Sequence, residues 1–196
     1  MEKINQGRRR ALRQGVAMAA VAAPGLMLSA PARTAEKTYN YKLGIALAPT
    51  HPTAANLIAA TAEIARASNG RLNIHVFPNS QLGGDTDMIS QVRSGAIDFV
   101  STAGLIWGTL VPAASISGIG FAFPSYEHVW QAMDGELGAH IRNAFTKINL
   151  MPMPKIWDHG FRHVTSSDRQ INTPQDLSGF KIRVPLSPAL TSLFKA

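Results

Sequence analysis

The feature that most constrains this fold is an alternation of strand-like and helix-like stretches between Tyr39 and Thr102. YNYKLGIALA, Tyr39 to Ala48, is apolar enough to be buried on both faces. Pro49-Thr50-His51-Pro52 ends it and opens a helix, with Pro52 near the first turn, where a missing N–H costs nothing. Leu57, Ile58, Thr61, Ile64 and Ala65 follow at helical spacing, and Asn69-Gly70 supplies the stop. RLNIHVFP reads as a second strand with Leu72, Ile74 and Val76 on one face. After the loop NSQLGGD, Asp85 or Thr86 caps a helix carrying Met88, Ile89 and Val92, which Gly95 ends. AIDFVST is the third strand. Strand, helix, strand, helix, strand implies right-handed crossovers and a mainly parallel α/β sheet flanked by helices. Ligands of such sheets sit beyond the carboxyl ends of the strands.

The rest of the chain is less regular. Gly104 to Ser125 mixes Gly, Pro and apolar residues, as short turns packed over a sheet do. Two helices are expected near Tyr126–Met133 and Glu136–Ile148. LMPMPKIW reads as extended and GFRHVTSS as a further strand. TPQDLSG makes a turn or short helix before GFKIRVP, Gly179 to Pro185. In that last run Phe180, Ile182 and Val184 alternate with Lys181 and Arg183, and Pro185 stops the ladder. A strand with its apolar face on a core leaves Arg183 to water, a partner surface or a ligand.

Charge is concentrated at the amino end. The formal net charge is +7, but five of the 19 Lys and Arg and one of the 12 Asp and Glu lie in the first 32 residues, so the remainder carries only +3. That removes most of the case for nucleic acid. Lys3, Arg8, Arg9, Arg10 and Arg13 precede an uncharged run with an apolar core from about Val16 to Leu28. This is the pattern of an export signal over residues 1–32, with cleavage after Ala32 or Ala35. RRRALR is similar to a twin-arginine motif with Ala11 in place of a bulky apolar residue, and the general secretory route stays open. The core is too short and alanine-rich for a good membrane span. The chain has no cysteine, hence no disulfide and no thiolate metal site.

Catalytic patterns are sparse. There is no G-x-S-x-G elbow and no G-x-x-x-x-G-K-[ST] loop. GIGFAF has two glycines of a dinucleotide fingerprint but not the third. His159 and His163 stand four apart, a metal-pair spacing on a helix, but Gly160 argues against a helix and no third ligand is evident. Asp85 and Asp87 suit helix capping better than acid catalysis. No cofactor is expected.

GFRHVTSSDRQINTPQDLSGFKIRVPLSP, Gly160 to Pro188, resembles the signature of solute-binding proteins of tripartite ATP-independent periplasmic (TRAP) transporters. It has an Arg in a G-x-R-x-x-T-S run, then I-x-T-P-x-D-L-x-G, then K-I-R-V-P. FPNSQLGGDTDMISQVRSGAIDF, Phe77 to Phe99, is similar to that family's F-P-x-S-Q-L-G-x-D block. The resemblance extends over residues 39 to 196. It implies a periplasmic-binding-protein-like fold whose first lobe is largely present over 36–196 and whose second lobe is mostly missing. It implies capture of a small organic acid anion in the periplasm for delivery to the membrane subunits of a TRAP transporter, with no enzymatic step.

The resemblance places the principal carboxylate-binding arginine at Arg183 and a second at Arg162. A guanidinium presents a planar fork that matches two carboxylate oxygens and does not titrate at physiological pH. It also implies contacts from the loop Ala46 to His51, from Asp85 in the Gly84-Asp85 turn, and at Ala103, where some members carry an acid. Ala103 and Leu186 suggest a pocket less polar than that of sugar-acid binders, with Trp107, Phe121, Phe123 and Trp157 as candidate lining, although their type favours ordinary core. Members of the family are longer than this chain, so weak or no binding by the chain alone is expected. The alternatives are a non-functional remnant of such a protein and an exported α/β enzyme, which would need a nucleophile–base or metal constellation.

Overall fold

The structure, a computed structural model, describes residues 36–195; the expected export signal and its cleavage positions lie outside them. Strands β1 (Tyr39–Ile45), β2 (Leu72–Phe77) and β3 (Phe99–Ser101) form one parallel sheet in the order β2-β1-β3. Tyr39 stands opposite Leu72 and Gly44 opposite Phe77, while Leu43 to Ile45 face Phe99 to Ser101. Only Leu43 and Gly44 therefore have a strand neighbour on both sides. Burial follows that register: Leu43, Gly44 and Ile45 are buried and Tyr39 and Asn40 are exposed. Burial on both faces, expected for the whole run, holds for its second half.

Helix α1 (Pro52–Ala67) starts where Pro52 was expected to start it. His51 is the cap, its Nδ1 accepting from the Thr53 N–H at 3.2 Å. Asn69 and Gly70 close the helix with positive φ, and the Gly70 N–H reaches the Ala65 carbonyl at 2.8 Å. The buried face is centred on Thr53, Ala54 and Thr61 with Leu57 beside them. Ile58 and Ile64, expected on that stripe, are 40% and 36% exposed. Ile58 lies about 100° around the helix from Leu57, which sets it off the sheet. Fully burying a side chain such as Ile45 is worth about 1.5–3 kcal/mol; Ile45 and Ala54 are wholly inside.

Helix α2 (Asp85–Ser94) corrects the expected capping. The cap is Gly84, and its N–H is held by the Asp87 carboxylate at 2.9 Å. Asp85, the first helical residue, accepts instead from the Thr102 hydroxyl at 2.8 Å, tying α2 to the end of β3. Met88 is fully buried and lies over Gly44, where any Cβ would stand 2.6 Å from its sulfur. Gly95 ends the helix in the left-handed region.

Two 3-10 segments, Gly104–Thr109 and Pro112–Gly118, carry the second core. Leu105, Ile106, Trp107, Val111 and Ala114 are buried there with Ile89 and Leu190. The Trp107 ring meets Phe145 edge-on at 5.1 Å. Trp107 is thus core, not pocket lining, whereas Phe121 stands fully exposed and Phe123 half-buried. Helices α3 (Tyr126–Asp134) and α4 (Glu136–Thr146) turn at Gly135. They pack so closely that a Cβ on Gly138 would lie 1.7 Å from the Met133 carbonyl oxygen, which also accepts from Arg142. Backbone cannot move aside as a flexible side chain can, so Gly138→Ala should lower stability by about 1–3 kcal/mol. Thermal or urea unfolding of the variant checks this; an unchanged midpoint would mean the junction opens freely.

From Met151 to Leu186 the chain is largely exposed and forms no regular element except the 3-10 turn Pro174–Leu177. The strands expected at GFRHVTSS and GFKIRVP are absent. No neighbouring strand pairs with their residues among the described residues, and a ladder needs two backbones. Gly160 and Gly179, at positive φ, bend the chain at the head of each run. The chain then returns to the core through α5 (Pro188–Leu193), which buries Leu190.

Candidate functional site

Parallel pairing places the loops after β1, β2 and β3 at one edge of the sheet. The chain leaves β1 for one side and, after β2, crosses to the other. The carboxyl ends of β1 and β3 therefore flank a switch point, where open α/β sheets hold ligands. Ala46, the residue after β1, and Ala103, which follows β3 and caps the first 3-10 segment, are both half-buried there. The loop after β2 is pinned alongside: the Asn79 N–H donates to the Leu47 carbonyl at 2.8 Å and the Ser80 N–H to the Ile45 carbonyl at 3.3 Å.

A polar cluster occupies this edge. His51 and His159 approach with ring centroids 5.8 Å apart. The Asp158 carbonyl accepts from the Thr53 hydroxyl at 3.5 Å, which draws the extended segment onto the start of α1. The Asp158 carboxylate accepts from the Gly160 N–H at 2.7 Å. His159 keeps an exposed edge, and its pKa is lowered first by partial desolvation, then by the neighbouring His51 and Arg162; Asp158 and Asp85 act the other way. Tyr126 is raised, by burial and then by the Asp158 carboxylate beside it. Phe161 lies 4.7 Å from the Tyr126 ring, and Tyr126 stacks on Trp130. The structure thus assembles His51, Asp85, Asp158, His159 and Arg162 from three separated parts of the chain.

The remaining expected residues fall out as follows. Arg162 and Arg183 are both exposed, and neither makes an ion pair with a carboxylate among the described residues, where the pairs are Arg66–Glu63, Arg71–Glu36 and Lys155–Asp134. Arg183 lies in the extended run before Ser187, and no hydrogen bond joins it to the cluster among the described residues. Trp157 is 49% exposed, next in sequence to Asp158. Sequence reasoning missed Asp158, Tyr126 and Thr102, whose roles depend on partners distant in the chain, and weighed His159 only against His163. No set of three or more His, Asp or Glu side chains converges on a metal position among the described residues. Ser125 and His128 share a 2.8 Å hydrogen bond at the start of α3.

Such an edge suits an anion. It offers a guanidinium free of carboxylates, a hydroxyl-bearing turn and a carboxylate, Asp85, that can accept from a ligand hydroxyl. A hollow at the opposite end of the strands, lined by Tyr39, Tyr41, Ser68, Arg71 and Leu72, is mostly apolar.

The family model for bacterial extracellular solute-binding protein, family 7 (DctP), matches residues 43–196. A solute-binding protein of Chromohalobacter salexigens is 31% identical over 173 residues, covering 88% of this chain and 51% of that protein. A TRAP periplasmic solute binding protein from Sulfitobacter, crystallised with bound β-D-galacturonate, superposes with a TM-score of 0.75 at 27% identity, covering 80% of this chain and 52% of its own. Another, from Sulfurospirillum deleyianum with bound succinate, gives 0.73 at 26% identity, covering 81% and 51%. The chain spans a third to about half of the length of the curated relatives it matches.

Proposed function

Given that the chain belongs to the bacterial extracellular solute-binding proteins of family 7, we propose that it captures a small organic acid anion in the periplasm for delivery to the membrane subunits of a TRAP transporter. The observation that carries this reading is the unpaired guanidinium of Arg162 beside the polar cluster at the carboxyl ends of β1 and β3. Related proteins hold galacturonate and succinate, both carboxylates. Arg183 supplies the principal fork, Arg162 the second positive charge, and Ala46, His51, Asp85, Ala103 and Trp157 surround the ligand. Asp85, already accepting from Thr102, has lone pairs left to take a ligand hydroxyl.

Charge complementarity sets the test. At concentrations high enough to occupy the weak site expected of this chain alone, succinate and D-galacturonate should raise its melting temperature, and the uncharged succinamide should not, because only an ionised carboxylate repays desolvating a guanidinium. Equal stabilisation by the amide would overturn the anion assignment. The response should shrink with salt, since exposed charges are screened over about 10 Å at 0.1 M.

A further inference from the structure

His51 and His159 lie more than a hundred positions apart in sequence, yet their rings meet at 5.8 Å with a tilt of 52°. His51 closes the loop after β1. Its Nδ1 accepts from the Thr53 N–H, so the neutral ring carries its proton on Nε2. Protonating Nδ1 would break the helix cap. His159 reaches the same place from the extended segment after Trp157. Every charged neighbour is identified: His51 from the start of α1, Asp85 from α2, and Asp158 and Arg162 from its own segment, with Tyr126 of α3 against Asp158. The two carboxylates are already engaged, Asp85 by Thr102 and Asp158 by the Gly160 N–H. Asp85 and Asp158 favour a charged His159, but partial desolvation, His51 and Arg162 outweigh them in the free protein, so a bound anion adds the counter-charge that tips the balance.

We propose that His159, backed by His51, is a proton-dependent cation of the anion site, so that an organic acid bound beside Arg162 draws a proton onto the imidazole pair. This rests on the anion-binding reading and adds a ligand class to it: acids with two negative charges, which can meet the guanidinium and the imidazolium together.

The sign follows from linkage. In the free protein His159 is shifted below its ordinary 6.5, because partial desolvation, His51 and Arg162 all disfavour its charged form. A bound carboxylate favours that form and raises the value. Affinity then increases as pH falls through the interval between the bound and free values, by at most about tenfold per pH unit for one proton. Above that interval affinity is flat, because neither state is protonated.

The test is proton uptake. Imidazole resonances of the chain are titrated by NMR, free and with saturating succinate, and succinate binding is measured calorimetrically near pH 6 in two buffers of different ionisation enthalpy. Expected are a free His159 midpoint below 6.5, a rise in that midpoint with succinate, and uptake of up to one proton per ligand. His51→Asn, which preserves the cap acceptor, should raise the free midpoint, and His159→Gln should flatten the pH profile of binding. Succinate binding with an unmoved His159 and no uptake would overturn the proposal and leave the anion reading standing. No binding of succinate or D-galacturonate anywhere from pH 5.5 to 8 would overturn both.

Discussion

Arg183→Lys is expected to weaken succinate binding by about tenfold to a hundredfold. The substitution keeps the charge, so any loss measures geometry. A guanidinium makes two parallel hydrogen bonds to a carboxylate, whereas an ammonium is a point charge on a flexible stem. Losing one charge-assisted hydrogen bond costs about 1.5–3 kcal/mol, and each 1.4 kcal/mol is roughly a factor of ten in Kd. Arg183 has no carboxylate partner among the described residues that lysine would leave stranded. Its exposed position means the fold should barely respond. Calorimetric Kd and the unfolding midpoint, measured together, separate the two effects. Unchanged affinity would remove Arg183 from the site.

Trp107→Ala has the opposite signature: a large loss of stability, with binding affected only through the fold. Trp107 is 8% exposed, at the centre of the cluster formed by the two 3-10 segments, Ile89 and Leu190, and edge-on to Phe145. Truncating a buried Trp costs about 3–5 kcal/mol, from lost transfer energy and the cavity left behind. A typical domain has only about 5–15 kcal/mol in total. The variant should unfold at markedly lower urea or fail to fold. A variant as stable as the parent that had lost succinate binding would instead make Trp107 a ligand contact.

What the sequence made legible was local. Pro52, Asn69-Gly70 and Gly95 punctuate the helices at positions the structure keeps, because turn and cap preferences act over a few residues. The parallel sheet followed from strand–helix alternation. Failures arose where a partner decides. The alternation in GFKIRVP reports an extended backbone but is silent on whether another strand lies beside it, and none does among the described residues. Asp85 has the composition of a cap, yet Thr102, seventeen positions away, takes its carboxylate, and the cap is Gly84 with its N–H held by Asp87. The His51–His159 contact joins positions more than a hundred residues apart and leaves no periodicity to read. The assignment of the arginines came from the motif resemblance, since spacing by itself left Arg183 open.

Backbone amide and arginine side-chain NMR shifts, followed as succinate is added, probe the candidate site most directly. The largest changes should fall on Ala46, His51, Asp85, Ala103, Arg162 and Arg183. Changes confined to the hollow around Tyr39, Tyr41 and Arg71 at the other end of the strands, or none at saturating succinate and galacturonate, would contradict the account.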